Sequence, residues 1–253
     1  MMRIITPSSP LMTTPDATSG RETDALFGEA VVIHQTVPTG QDDWAEITLT
    51  TDDYRAWIKA SDLAEAPDPT HHVVVPRSLV TATPSIKSPH LFHLPLGALV
   101  TAEDAEGDVI AIHGANGVIG YMPSCHVLPI GTYVDEYVAI AEALISTPYL
   151  WGGRDSLGFD CSALVQLSLA AAGQPVPRNT GDQEPAIGTT LTDRDQLQRG
   201  DLVFWKGHVG IMTDGETLLH ANAFHHMVAA EKLSDALPRL HDAAGPITRL
   251  ARP

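Results

Sequence analysis

The hydrophobic pattern of this chain changes period once, at Thr132, and that change limits what each side of it can fold into. Before it, apolar residues come in short alternating runs: Ala30-Val31-Val32-Ile33, Trp44-Ala45-Glu46-Ile47-Thr48-Leu49 and Tyr54-Arg55-Ala56-Trp57-Ile58. Turns at Thr39-Gly40-Gln41-Asp42-Asp43 and Thr51-Asp52-Asp53 separate them, so the segments read as half-buried strands. A stiff linker, Ala66-Pro67-Asp68-Pro69-Thr70, follows. The theme then returns between Val73 and Pro129, in Ala98–Thr101, Asp108–Ile112 and Val118–Pro123. Tyr121-Met122 echoes Trp57-Ile58, which sets the expectation of two small all-β barrels, over residues 25–66 and 67–129. Residues 1–24, with Pro7 and Pro10 and no apolar run, are expected to be a loose arm and no secretory signal.

After Thr132 the period is helical. Val134, Tyr137, Val138, Ala141, Leu144 and Ile145 share one face, and Pro148 closes the segment. A loop over Tyr149–Phe159 leads to Asp160, placed as an N-cap, and to an Ala/Leu-rich helix from Cys161 to Ala172 that ends at Gly173. Strands are expected at Asp201–Trp205, His208–Thr213, Leu218–Ala221 and Met227–Ala230. Helices followed by antiparallel strands give an α+β class for residues 130–253. With 43% hydrophobic residues the chain can bury a core, so wholesale disorder is excluded. A formal net charge of −16 argues against a nucleic-acid or anionic-membrane partner, and no apolar run is long enough to span a bilayer. These features point to a cytoplasmic protein, in which a bridge between the two cysteines, Cys125 and Cys161, is not expected.

The chemistry-bearing residues lie in the helical half. Cys161 sits in the first turn of its helix, where unpaired N–H groups and the dipole favour a thiolate. The bland alternative is a small buried hydrophobe. A nucleophile needs a base and the base needs an orienting partner, and His208 and His220 supply two imidazoles on strands joined by Thr213-Asp214-Gly215. A two-residue Asp214-Gly215 turn would send the two rings to opposite faces of the sheet. A three-residue loop over Thr213–Gly215 would set them directly opposite each other on one face. His220, His225 and His226 also allow a zinc reading, which no further ligand pattern completes.

Five blocks carry a resemblance: Tyr149-Leu150-Trp151-Gly152-Gly153, Phe159-Asp160-Cys161-Ser162, Gly200–Trp205, Gly207-His208-Val209-Gly210-Ile211 and Leu219-His220-Ala221-Asn222. Together they resemble the NlpC family of papain-like cell-wall cysteine peptidases, over about residues 130–235. The β-rich front half resembles the paired bacterial SH3-like domains that precede this catalytic domain in γ-D-glutamyl-L-diamino-acid endopeptidases. The resemblance implies Cys161 as nucleophile, His208 as base and later acid, and His220 as the third member fixing the His208 ring. It implies Tyr149 as an oxyanion contact and Asp160 and Ser162 as substrate contacts. Pro177-Arg178-Asn179-Thr180 matches a loop that usually carries an Asp where Asn179 stands, while Thr180 keeps the hydroxyl. Trp151, in the loop before the nucleophile, is a further candidate contact. For a free substrate amine the resemblance calls for an acid and a tyrosine from the first barrel, and Glu29 and Tyr54 are the candidates.

The expected function is hydrolysis of the γ-D-glutamyl–L-diamino-acid bond in peptidoglycan-derived peptides of the form L-Ala-γ-D-Glu-diamino acid. Such peptides would be released muropeptides under recycling, and no cofactor is implied. Two alternatives stand beside it: an amidase cutting the sugar–L-alanine bond, and a non-catalytic module that grips wall peptides.

Overall fold

The computed structural model describes residues 1–40, 42–105 and 107–253. Gln41, in the expected Thr39–Asp43 turn, lies outside the described residues. The chain divides into two compact units, Met1–Tyr133 with Arg154–Ser156, and Val134–Gly153 with Leu157–Pro253. No helix among the described residues is long and apolar enough to cross a membrane.

The first unit is built from strands β1 (Met2–Ile4), β2 (Ser8–Met12), β3 (Arg21–Leu26), β4 (Val31–Pro38), β5 (Asp43–Leu49), β6 (Arg55–Lys59) and β7 (Leu63–Glu65), then β8 (His71–Val73), β9 (Arg77–Thr81), β10 (His90–Pro95), β11 (Leu99–Asp104), β12 (Val109–Gly114), β13 (Gly117–Pro123) and β14 (Val127–Pro129). The two-residue β15 (Arg154–Asp155) also counts with it. In the first half, β3-β2-β6-β5-β4 form one sheet and β1 pairs with β7; in the second, β10-β9-β13-β12-β11-β8-β14 run in the same spatial order. Each half closes over its own apolar cluster, one around Leu11, Ile47, Leu49 and Ile58, the other around Val80, Leu94, Val100 and Ile112.

Residues 1–24 correct the sequence reading. They are not an arm: β1 pairs with β7, β2 and most of β3 belong to the five-stranded sheet, and Ile4 and Leu11 lie in the core of this half. Pro7 lies before β2, and within β2 Pro10 is exposed while Leu11 is fully buried.

In the second unit the expected first helix is short. α1 (Tyr137–Glu142) is capped by Glu136, whose carboxylate accepts from the amides of Val138 and Ala139. Leu144 and Ile145 continue as tighter turns, and Ser146 breaks the run at φ 73°. After the two-residue β16 (Gly158–Phe159) comes α2 (Cys161–Ala171), nearly all of it buried and packed against α1. Asp160 caps it through the Ala163 amide, and Gly173 follows its end at φ 81°. α3 (Thr180–Ala186) precedes a six-stranded antiparallel sheet of β17 (Thr189–Leu191), β18 (Leu202–Trp205), β19 (His208–Met212), β20 (Thr217–Asn222), β21 (Met227–Lys232) and β22 (Arg249–Arg252), ordered β17-β22-β18-β19-β20-β21. α4 (Leu233–Ala244) lays Leu233, Ala236 and Leu240 onto the cluster containing Trp205, Met212 and Leu218.

Candidate active site

The second unit brings Cys161, His208 and His220 together from α2, β19 and β20. Trp205 pairs with His208 across a two-residue turn, so His208 is the first residue of its strand. The β19–β20 register pairs Ile211 with Leu219 and Met212 with Leu218, and Thr213 N–H donates to the Thr217 carbonyl. The loop is therefore Asp214-Gly215-Glu216, neither of the two turns expected, with the Asp214 carboxylate accepting from the amides of Glu216 and Thr217. His208 and His220 share a face but sit diagonally, and their rings bridge the step with Nε2 and Nδ1 at 2.8 Å. The residue opposite His220 is Gly210. A Cβ there would lie 2.6 Å from the Leu218 side chain and 3.2 Å from the His220 Cβ.

Cys161 Sγ lies 3.8 Å from Thr180 Oγ1 and receives the backbone N–H of Val209, the residue after His208. Burial and the Asp160 charge push the thiol up to about 11, against the opposing pulls of Thr180, Val209 and Arg178. Burial, with the His220 and Arg239 charges, pushes His208 down to about 3. The resting pair is thus neutral thiol and neutral imidazole. The helix-dipole expectation of a thiolate fails because a dipole worth about 0.3–1 kcal/mol does not offset full desolvation of an anion. Tyr149 is also pushed up, to about 12, by burial and then by the Cys161 and Asp160 charges, so its phenol stays a donor.

Asp160 is not an open acid. Arg178 grips it from both nitrogens, at 3.0 and 2.6 Å, and the amides of Gly152 and Ala163 and the Ser162 hydroxyl donate to it as well. Ser162 itself accepts from Arg178 at 2.7 Å. Asn179 precedes α3 with its amide toward Asp182, and Trp151 is 69% exposed while Trp205 is buried.

In the first unit, Glu29 corrects the sequence reading. It is 2% exposed, and its carboxylate accepts from the Leu26 amide, the Thr51 hydroxyl and both Arg154 terminal nitrogens, at 3.2 and 3.1 Å. No lone pair is left for a ligand ammonium. Tyr54 donates instead to Glu22 at 2.8 Å, an acid the sequence reading missed.

Two further residues were missed around the imidazoles. His220 Nε2 lies 2.9 Å from Glu231 Oε1, and Glu231 is paired with Arg239 of α4. His220, His225 and Glu231 bring ligand atoms within 4.8 Å of one another, but His226 is not in this group. Both His220 nitrogens are engaged and a guanidinium holds the Glu231 oxygen, so the donor set does not fit a metal cation.

These features define a papain-like α+β fold preceded by bacterial SH3-type β-structure. Residues 146–241 match the NlpC/P60 family and residues 11–63 match the bacterial dipeptidyl-peptidase Sh3 domain, so the chain carries an NlpC/P60 domain and a bacterial SH3 domain. It is 28% identical over 224 residues to a gamma-D-glutamyl-L-lysine dipeptidyl-peptidase of Bacillus subtilis, covering 79% of this chain and 72% of that one. It is 28% identical over 173 residues to dipeptidyl-peptidase 6 of Lysinibacillus sphaericus, covering 63% of each. The crystal structure of an NlpC/P60 family protein from Bacillus cereus matches with a TM-score of 0.81 at 18% identity, over 100% of this chain and 99% of that chain, which shows the shared fold.

Proposed function

We propose that the chain is a cysteine peptidase that hydrolyses the γ-D-glutamyl–L-diamino-acid bond of peptidoglycan-derived peptides. The observation that carries this reading is a buried thiol at the start of α2, held by Thr180 and the Val209 amide, beside a hydrogen-bonded His208–His220 pair. The names of the relatives supply the substrate class.

In this reading the Cys161 proton moves to His208 as sulfur attacks the γ-carbonyl carbon, because neither group is charged at rest. The Cys161 backbone amide and the protonated Tyr149 hydroxyl hold the oxyanion. Collapse breaks the C–N bond, His208 gives its proton to the leaving amine, and a thioester remains. Water then attacks the thioester as His208 takes one of its protons, the C–S bond breaks, His208 returns that proton to sulfur to restore the thiol, and the product leaves as a carboxylic acid that ionises in solvent. Ser162, Asn179, Thr180 and Trp151 line the approach to the sulfur in this reading. A free amino-terminal L-Ala and a recycling role in the cytoplasm belong to the same reading; the charge of −16 suits a substrate carrying an ammonium.

The test is incubation with L-Ala-γ-D-Glu-diaminopimelate, its N-acetyl form, and a muramoyl-linked version. The expected result is free diaminopimelate from the first, with less turnover of the other two. Cys161→Ala is expected to keep its fold and less than about 1% of the rate. Release of intact peptide from the muramoyl substrate would make it an amidase, and binding without turnover would make it a recognition module.

A further inference from the structure

The three side chains His208, His220 and Glu231 step diagonally across one face of three neighbouring strands. The β20–β21 register pairs His220 with Ala229 and Leu218 with Glu231, so Glu231 stands two residues off His220 on the same face. The offset repeats the one between His208 and His220. His220 is fully buried, with Nδ1 toward His208 at 2.8 Å and Nε2 toward Glu231 at 2.9 Å. An imidazole in that position must choose which nitrogen carries the proton, and its partners decide.

We propose that Glu231 is a positioning residue that sets the direction of every proton in the relay and so leaves Nδ1 of His208 as the bare, basic nitrogen. This rests on the peptidase reading above. A carboxylate only accepts, so His220 carries its proton on Nε2. Its Nδ1 is then a lone pair, which accepts from His208 only if His208 is protonated on Nε2. His208 Nδ1 is left without a proton and can take one from a thiol. Reversing the first bond reverses all of them and disables the base.

The surroundings keep Glu231 an acceptor. Burial raises its carboxyl, but hydrogen bonds from His220 and Arg239 outweigh burial and hold it below the usual range. Arg239 reaches it from α4 and stacks over the Phe224 ring at 3.9 Å. His225, on the loop after β20, lies 3.8 Å from the same oxygen, while its amide and ring hydrogen-bond Asn222 Oδ1. The charged and titratable groups facing the relay are Glu231, Arg239 and His225 at one end, with Cys161 at the other beside the Val209 amide.

The experiment compares wild-type full chain with Glu231→Gln and Glu231→Asp. Long-range proton–nitrogen NMR of the histidine rings reads tautomers without substrate, so its result is separate from the success of the peptidase reading. The wild type is expected to show both rings protonated at Nε2. A glutamine can donate as well as accept, so Glu231→Gln is expected to show mixed tautomers at both rings. Its kcat is expected to fall about 10–100-fold with KM little changed, as for loss of an orienting partner one group removed from the reacting atoms. The acidic limb of its kcat/KM profile is expected to move to lower pH, since losing an anion makes His208 harder to protonate. Glu231→Asp should restore the single tautomer and most of the rate. Wild-type tautomers in Glu231→Gln would overturn the proposal, whether or not the rate falls, as would a rate loss that Glu231→Asp does not rescue while its tautomers are native.

Discussion

The two halves of the first unit are one backbone built twice, and they differ in what each has buried. Thr13 N–H to the Gly20 carbonyl recurs as Ala82 to Pro89, Gly28 to Ile4 recurs as Gly97 to Val73, and Glu29 to Leu26 recurs as Ala98 to Pro95. Gly28 and Gly97 share φ near 80°, at 80° and 83°. Yet at the equivalent site the first half places Glu29 and the second places Ala98, both buried. Ala98 joins an apolar cluster with Val73, Leu94 and Val100, whereas Glu29 lies under Arg154, which also donates to the Asp24 carbonyl and takes the Asp24 carboxylate on its own amide. The backbone is indifferent to the side chain here. What makes a buried carboxylate tolerable is a partner set complete enough to replace water, and only the first half has one.

The sharpest way to break the comparison is Ala98→Glu. It buries a carboxylate among Val73, Leu94 and Val100, where the site is already filled, so a loss of more than about 4 kcal/mol is expected, read as urea midpoint or as failure to fold. A loss under about 1 kcal/mol would show that the second half accommodates the charge without a partner. Next in size is Arg154→Met, which strands Glu29 and is expected to cost about 3–5 kcal/mol. Adding Glu29→Leu to it should recover most of that loss, because an apolar pair of similar volume removes the desolvation penalty along with the attraction. If the double variant were no better than the single, the ion pair would be a net stabiliser and the reading of Glu29 as tolerated rather than favourable would be wrong.

The division at Thr132 and the α2 nucleus were legible because each rests on local rules: strand alternation, an Asp cap, a Gly stop. The strands of residues 1–24 were hidden by Pro7 and Pro10, which read as breakers although Leu11 and Met12 face the core. α4 places Leu233, Ala236 and Leu240 at helical spacing, but Pro185 in α3 and Pro238 in α4 read as breakers. The site divides the same way. Cys161, His208 and His220 follow from residue type and spacing, but the turn joining the last two was misread by one residue, and only the sheet register shows the diagonal step. Glu231 is invisible for the same reason: its role depends on a second register. The Glu29–Arg154 pair joins residues far apart in the chain, and no local pattern in either segment announces it.

The smallest expected effect separates the two halves at a hydroxyl. Ser9 and Ser78 occupy equivalent positions, both buried, and each reaches the turn before its closing strand: Ser9 donates to the Asp62 carboxylate, Ser78 bonds His126 Nδ1 at 2.9 Å. The backbone around them is again shared, since Ile5 N–H to the Asp62 carbonyl recurs as Val74 to His126, both at 3.0 Å. Removing the hydroxyl leaves the same small void in each half, so the packing cost cancels in the comparison. What does not cancel is the acceptor. A hydrogen bond to a charged group is worth about 1.5–3 kcal/mol and one between neutral groups about 0.5–1.5. Ser9→Ala is therefore expected to lower stability more than Ser78→Ala, by about 1 kcal/mol. Asp62 and His126 both keep some contact with solvent, which rehydrates the stranded partner and holds each loss to the low end. Equal urea midpoints for the two variants would mean that water replaces the hydroxyl equally well at both sites, and that the halves differ in their buried charge alone.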